Sequence, residues 1–207
     1  MQDVIVDSWS RDAAITVETA RSLRELNLGF LRLEGFAAPR LAALPDAHKA
    51  EIARCPYALF DLRFNDELYW LPRLRGPVSG RVAETLPADA AEVVAFVRLV
   101  LFYAWHLAST TPLSARLLLG MQSSTAAAFG QATVGRLTAL AASEAANLSP
   151  RWRHCDAFWS GLVGAAERSD RAGLRRNQLR GLQVAVAARL PACAGGRQLS
   201  LGLVPMR

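Results

Sequence analysis

The sequence predicts an all-α fold, a compact multi-helix bundle with room for two similar helical halves and short extended segments. Three observations carry this. Apolar residues recur at spacings of three and four over much of the chain. Capping residues, prolines and glycines fall at the ends of those stretches. Only one short segment alternates in the manner of a strand. At 207 residues and 52% hydrophobic, the chain can bury a core as one domain or as two small halves sharing an interface.

Thr16 is placed to cap a first helix, in which Leu23, Leu26, Phe30 and Leu33 form the apolar stripe and Gly35 the stop. Pro39 and Pro45 bracket a helical turn, and Asp46 stands as the N-cap of "AHKAEIAR", which Pro56 prevents from continuing. In "YALFDLRF", Ala58, Phe60, Leu62 and Phe64 alternate with Asp61 and Arg63, predicting an extended segment closed by an Asn65-Asp66 turn. Residues 72–87 concentrate Pro and Gly without an apolar period and read as a connection. The organisation is therefore an N-terminal helical half over 1–75, a Pro/Gly linker over 76–87, a C-terminal helical half over 88–191 and a flexible tail over 192–207.

The second half opens on a long helix over 88–108, then a short one begun by Thr111-Pro112 and stopped by Gly120. Helices over 123–129 and 133–146 follow, the latter capped by Thr133. Asp156 and Asp170 cap the last two, and Pro191 terminates the final one. In that closing helix Leu179, Leu182, Val186 and Leu190 form a stripe expected to dock on the protein, and His106 in the long helix is expected to be a hydrogen-bonded core residue.

A faint repeat runs through both halves. "LRLEGFAAPRLAALP" at 31–45 and "RLLLGMQSSTAAAFG" at 116–130 share a Leu-x-Gly step, with three extra residues in the second copy. Each is followed by a helix and an arginine-aromatic pair, Arg63-Phe64 and Arg151-Trp152, with Trp70 and Trp159 beyond. The aromatic residues Phe60, Phe64, Trp70, Trp105, Trp152 and Trp159 are assigned structural roles. A base-stacking platform needs basic neighbours, and Asp61, Asp66 and Glu67 give this stretch the wrong local charge. Core or dimer interface is the reading favoured over a ligand surface.

Charge is uneven along the chain. Of the formal +6, residues 151–207 carry a surplus of seven, ten arginines against Asp156, Glu167 and Asp170. Arg171, Arg175, Arg176 and Arg180 are expected over the other face of the closing helix, without an acid between them. They are the candidate contacts for nucleic acid or an acidic partner, a solvated basic face being the plain alternative. Enzyme signatures are missing from the sequence. The one lysine, Lys49, follows no glycine run, no Gly-x-Ser-x-Gly elbow occurs, and His48, His106 and His154 are scattered. Asp61, Asp66 and Glu67 read as solvated, and His154-Cys155 lacks two further ligands. No catalytic residue, cofactor, metal or small-molecule substrate is assigned.

Cys55, Cys155 and Cys193 show no paired spacing, and "MQDVIVDSWSRD" has no signal-peptide character, so a cytoplasmic location is expected. The apolar run over 93–108, broken by Arg98 and His106, is shorter than the roughly 20 residues a bilayer span needs, and no membrane insertion is expected.

From about residue 96 onward the chain resembles the flagellar transcriptional regulator FlhD family of small all-helical bacterial proteins. The matching features are "FVRLVLFYAWHLA", "ARLLLGM", "QATVGRLTALA", "LSPRW" and "LRRNQLRGLQVAVA"; in 20–70, "LRELNLGFLRLE" and "LAALPDAHKAEIARCPYALFDLRFND" evoke the same family in more compressed form. The chain is about twice the family's usual length. The resemblance implies a helical dimer that acts with a partner subunit at promoter DNA. In size and helix content the chain also resembles sorting-platform accessory proteins of type III secretion. The expectations are a non-enzymatic regulatory protein with a protein partner, homo-oligomer formation or promoter DNA as its associations, or else a secretion adaptor.

Overall fold

Thr16 accepts a hydrogen bond from the Thr19 amide at 3.0 Å and so opens α1, Val17–Arg32, whose Leu23, Leu26, Phe30 and Leu31 are buried. The structure, a computed structural model, describes residues 16–33, 35, 39–76 and 88–187. Gly35 takes a φ of +78°, the left-handed region that glycine enters without steric cost. A single turn, α2 (Pro39–Ala42), leads to α3 (Asp46–Ile52). Asp46 is the first helical residue there rather than the cap, and its carboxylate pairs instead with Arg32 at 2.7 Å.

The extended segment shrinks to β1, Phe60–Asp61, with Tyr57, Ala58, Leu59, Phe60, Leu62 and Phe64 all fully buried. Alternation placed one face in water. That holds from Phe60 to Phe64, where Asp61 is half-buried and Arg63 exposed, while Tyr57 and Leu59 are buried as well; along its edge the second half supplies the partner strand β2, Ser149–Pro150, paired antiparallel with Phe60 opposite Pro150. Asp66 then caps α4, Glu67–Arg75, by accepting from the Tyr69 amide at 3.0 Å. This helix runs through Pro72, a residue that normally costs about 3 kcal/mol in a helix interior. Burial of Trp70 and Leu74 on its inner side offsets that cost, so the connection begins later than residue 72.

The second half opens with α5, Ala88–Thr110, followed by α6 (Pro112–Leu119), α7 (Ser123–Gly130) and α8 (Val134–Glu144). Pro112 stands at the first position of α6, and Gly120 ends it at a φ of +83°. A 3-10 turn over Ala145–Asn147 precedes β2; α9 (Asp156–Glu167) and α10 (Arg171–Ala187) close the described chain. Helix α5 packs on α1 from the first half and on α6, α7 and α8 from its own, while α4 packs on α7 and α3 on α9. The described parts of both halves thus feed one hydrophobic core, an all-α bundle with a two-stranded bridge.

The stretch Ala91–Thr110 of α5 has the length and mean hydropathy, 1.5, of a membrane span, and half of it is buried against the rest of the protein. Its outward side carries Leu99, 60% exposed, and the exposed His106, which is therefore not the core residue its apolar surroundings suggested. At its centre Phe96 meets Phe60 edge-on at 5.5 Å and Phe30 at 6.2 Å. Each ring contributes roughly 1.5–3 kcal/mol by burial, so this cluster is a main tie between α1, β1 and α5.

Candidate functional site

The two arginine-aromatic turns fold alike. In the first, Arg63 takes a φ of +58°, its carbonyl accepts from the Asp66 amide at 2.9 Å, and the Trp70 indole donates to the Leu62 carbonyl at 3.0 Å. In the second, Trp152 takes a φ of +53°, its carbonyl accepts from the Cys155 amide at 2.7 Å, and the Trp159 indole donates to the Arg151 carbonyl at 3.0 Å. Each tryptophan ties the first turn of a helix back to the residue that leaves a strand. The register is one residue away from the sequence pairing, since Arg63 matches Trp152 and Leu62 matches Arg151.

That shift gives the arginines different work. Arg63 is exposed, pairs with Asp66 at 2.5 Å and lies 4.2 Å from the centre of the Tyr69 ring. Arg151 is buried, and its guanidinium donates to the Leu118 carbonyl at 2.8 Å, while its amide donates to the Leu59 carbonyl at the same distance. Gly120 leaves room for it, because a Cβ there would stand 2.9 Å from the guanidinium. Phe60, Phe64 and Trp70 are fully buried; Trp105, Trp152 and Trp159 are half-buried against the same core. Trp152 lies edge-on to Tyr57 at 5.2 Å and to Phe158 at 4.9 Å.

Two buried polar residues escaped the sequence reading. Asn27 lies on α1; its amide nitrogen donates to the carbonyls of Ala53, Cys55 and Tyr57 at 3.0–3.3 Å, and its oxygen accepts from the Leu59 amide at 2.9 Å. It holds the loop that leads into β1. Glu144, fully buried, accepts from the Tyr69 hydroxyl at 2.6 Å, from Arg73 at 3.2 Å and from Asn147 at 3.0 Å, joining α4 to α8. Both act across long sequence separations, so no local period marks them. The signal that could have found them is a polar residue set inside an apolar stripe.

The titratable groups inside the protein are similarly engaged. Burial pushes the Cys55 thiol up to about 12 and the Tyr57 hydroxyl well above its ordinary range. Burial, followed by the hydrogen bond to Glu144, pushes Tyr69 up to about 12. Asp61 is half-buried rather than solvated. Burial raises its carboxyl above the usual range although the Arg151 charge opposes this, and it accepts from the Phe64 amide at 3.4 Å. Among the described residues no group of three or more His, Cys, Asp and Glu is placed to hold a metal ion.

The candidate contact residues Arg171, Arg175, Arg176 and Arg180 all stand exposed on α10. Asp170 opens the helix as its side chain accepts from the Gly173 amide at 2.8 Å. Arg176, itself exposed, lies 3.6 Å from the half-buried Asp170, a long pair, and among the described residues the other three have no carboxylate partner. The docked face of the helix is not the leucine stripe. It is Gly173, Leu174 and Gly181, flanked by Asn177 and Gln178. The Tyr57 hydroxyl donates to the Gln178 carbonyl at 3.1 Å, and a Cβ at Gly181 would overlap that hydroxyl and approach the Phe158 ring at 2.8 Å. Glycines let the backbone come close, and the leucines face away as a result.

Leu179 is 54% exposed, Leu182 37% and Val184 42%; the side chain of Val186 and the whole of Leu190 lie outside the described residues. At 100° per residue, Arg171, Arg175 and Leu182 share one strip, Arg176 and Arg180 lie roughly a third of a turn further round, and Leu179 falls between them. The result is an outward surface of guanidiniums with apolar side chains among them. No family model, curated protein or solved structure matches the chain.

Proposed function

We propose that the chain is a non-enzymatic cytoplasmic regulator of bacterial transcription, working as an oligomer or with a partner subunit, and that α10 is its contact element. The observation that carries this reading is the outward face of α10, with four exposed arginines that share one long ion pair among the described residues. Adjacent like charges repel by a few tenths of a kcal/mol per pair in the free protein. Phosphates or partner carboxylates would relieve that repulsion. The resemblance to the flagellar regulators points to the same kind of function.

A second reading, a helical adaptor of a secretion apparatus, has one observation in its favour. Leu179, Leu182 and Val184 face water beside the arginines, and phosphate binding alone has no use for them. Duplex binding tested alongside co-purification from the native cell separates the two. A regulator binds mixed-sequence duplex, alone or with its partner, and loses affinity steeply with salt. An adaptor retains apparatus proteins and binds no duplex at any salt concentration.

A further inference from the structure

A cleft of about 350 Å³ opens between α1 and the turn that follows α3. Its apolar floor includes Leu23, Pro56 and, from the second half, Leu118. Arg21, Arg24 and Arg54 also line it, and no Asp or Glu does. All three arginines are exposed. Glu51 lies 3.3 Å from Arg54 and neutralises part of one charge, and Glu18 and Glu25 stand about 60° and about 40° round α1 from Arg21 and temper its charge, outside the lining itself. The surface is therefore an apolar trough with a cationic rim.

We propose that this cleft docks an acidic peptide segment of a protein partner, one or two of whose apolar side chains enter the trough while its carboxylates meet Arg21, Arg24 and Arg54. Charge complementarity chooses the occupant. Arg21 and Arg24 are about 4.5 Å apart along the helix axis, and Arg54 faces them across the cleft, a layout that suits several carboxylates on one chain. The floor has little to orient a small polar molecule, its one thiol being Cys55, which burial keeps protonated. Val17, at the rim and 80% exposed, extends the apolar strip along α1 toward solvent, as a docked segment needs and a single enclosed ligand does not. Leu118 makes the site dependent on both halves, since its carbonyl accepts from Ala58 at 2.9 Å and from Arg151 at 2.8 Å and so fixes that wall.

The site shares no residue with α10, so the two can be tested separately. Fluorescence anisotropy of the full chain is read with a fluorescein-labelled peptide of repeated Glu-Glu-Leu-Leu and with its Lys-Lys-Leu-Leu counterpart. The acidic peptide is expected to bind and the basic one not. Arg24→Glu with Arg54→Glu weakens the acidic peptide by roughly tenfold or more, and Ala20→Trp, which fills the trough, does the same while helix content is unchanged. Replacing Arg171, Arg175, Arg176 and Arg180 with Gln leaves this binding intact. The proposal is overturned by equal binding of the basic peptide, by no binding of the acidic one, or by an equal loss in the α10 variant. Displacement of the peptide by octanoate overturns it too, and would assign the cleft to small amphipathic acids instead.

Discussion

The turn at 62–70 and the turn at 151–159 share a backbone plan and differ in what surrounds them. The first lies in the middle of the core: Trp70 is fully buried and packs on Phe64 at 5.8 Å and on Phe129 at 4.9 Å. The second lies nearer the edge, with Trp152 and Trp159 only half-buried. An identical hydrogen bond from indole to carbonyl therefore carries different weight at the two sites. The difference teaches that the shared geometry closes a helix onto a strand, while the depth of burial decides how much stability it contributes.

The largest expected contrast is between the two tryptophans. Trp70→Ala should lower the unfolding free energy by roughly 3–5 kcal/mol, and Trp159→Ala by about half as much, in urea titrations of otherwise identical chains. Equal losses would break the comparison. Next come the two positive-φ residues. Trp152→Gly relieves backbone strain of about 1 kcal/mol but deletes the contacts to Tyr57 and Phe158, so a net loss of about 1–2 kcal/mol is expected. Arg63→Gly relieves the same strain at an exposed position and should stay within about 1 kcal/mol of the parent.

The smallest effect sharpens the comparison at the helix caps. Asp66 caps α4 through its side chain, while Cys155, at the matching position before α9, provides no such bond. Cys155→Asp should therefore raise stability by about 0.5–1 kcal/mol. Asp66→Ala should lower stability at neutral pH, with a pH dependence of known sign. The hydrogen bond from Arg63, with that from the Tyr69 amide, holds the Asp66 carboxyl below the ordinary carboxylate range. Its contribution is complete above pH about 4 and is lost as pH falls through the lowered folded value. Parent and Asp66→Ala melting temperatures should accordingly converge in acid; a gap that persists would mean that the cap works other than through its charge.

Much of this framework was legible in the sequence because it is local. Thr16, Thr133 and Asp170 cap the helices that their spacing predicted, and Thr111-Pro112 and Gly120 bound α6 as read. The misreadings share a cause, a tertiary contact that outweighs a local rule. Pro72 sits inside α4 because Trp70 and Leu74 anchor that helix from within. Helix α10 turned over because Gly173 and Gly181, which add nothing to an apolar stripe, permit the closest backbone approach. The inversion is also what exposes Arg171 and Arg175, which share a strip with Leu182 and would have turned toward the core had the leucines docked, so all four arginines reach solvent. What the spacing hid was that the leucines would stand exposed beside them. Residues 77–87 and 188–207, which hold most of the expected linker and the whole of the expected tail, lie outside the described residues.

The central claim is that α10 is the contact element of a regulator, and salt-dependent duplex binding tests it most directly. With four arginines engaging phosphates, the logarithm of the binding constant should fall against the logarithm of salt concentration with a slope near −3.6, about −0.9 per contact. Replacing Arg171, Arg175, Arg176 and Arg180 with Gln should remove most of that slope together with the affinity. A duplex affinity that ignores salt, or that survives the fourfold replacement unchanged, would contradict the claim.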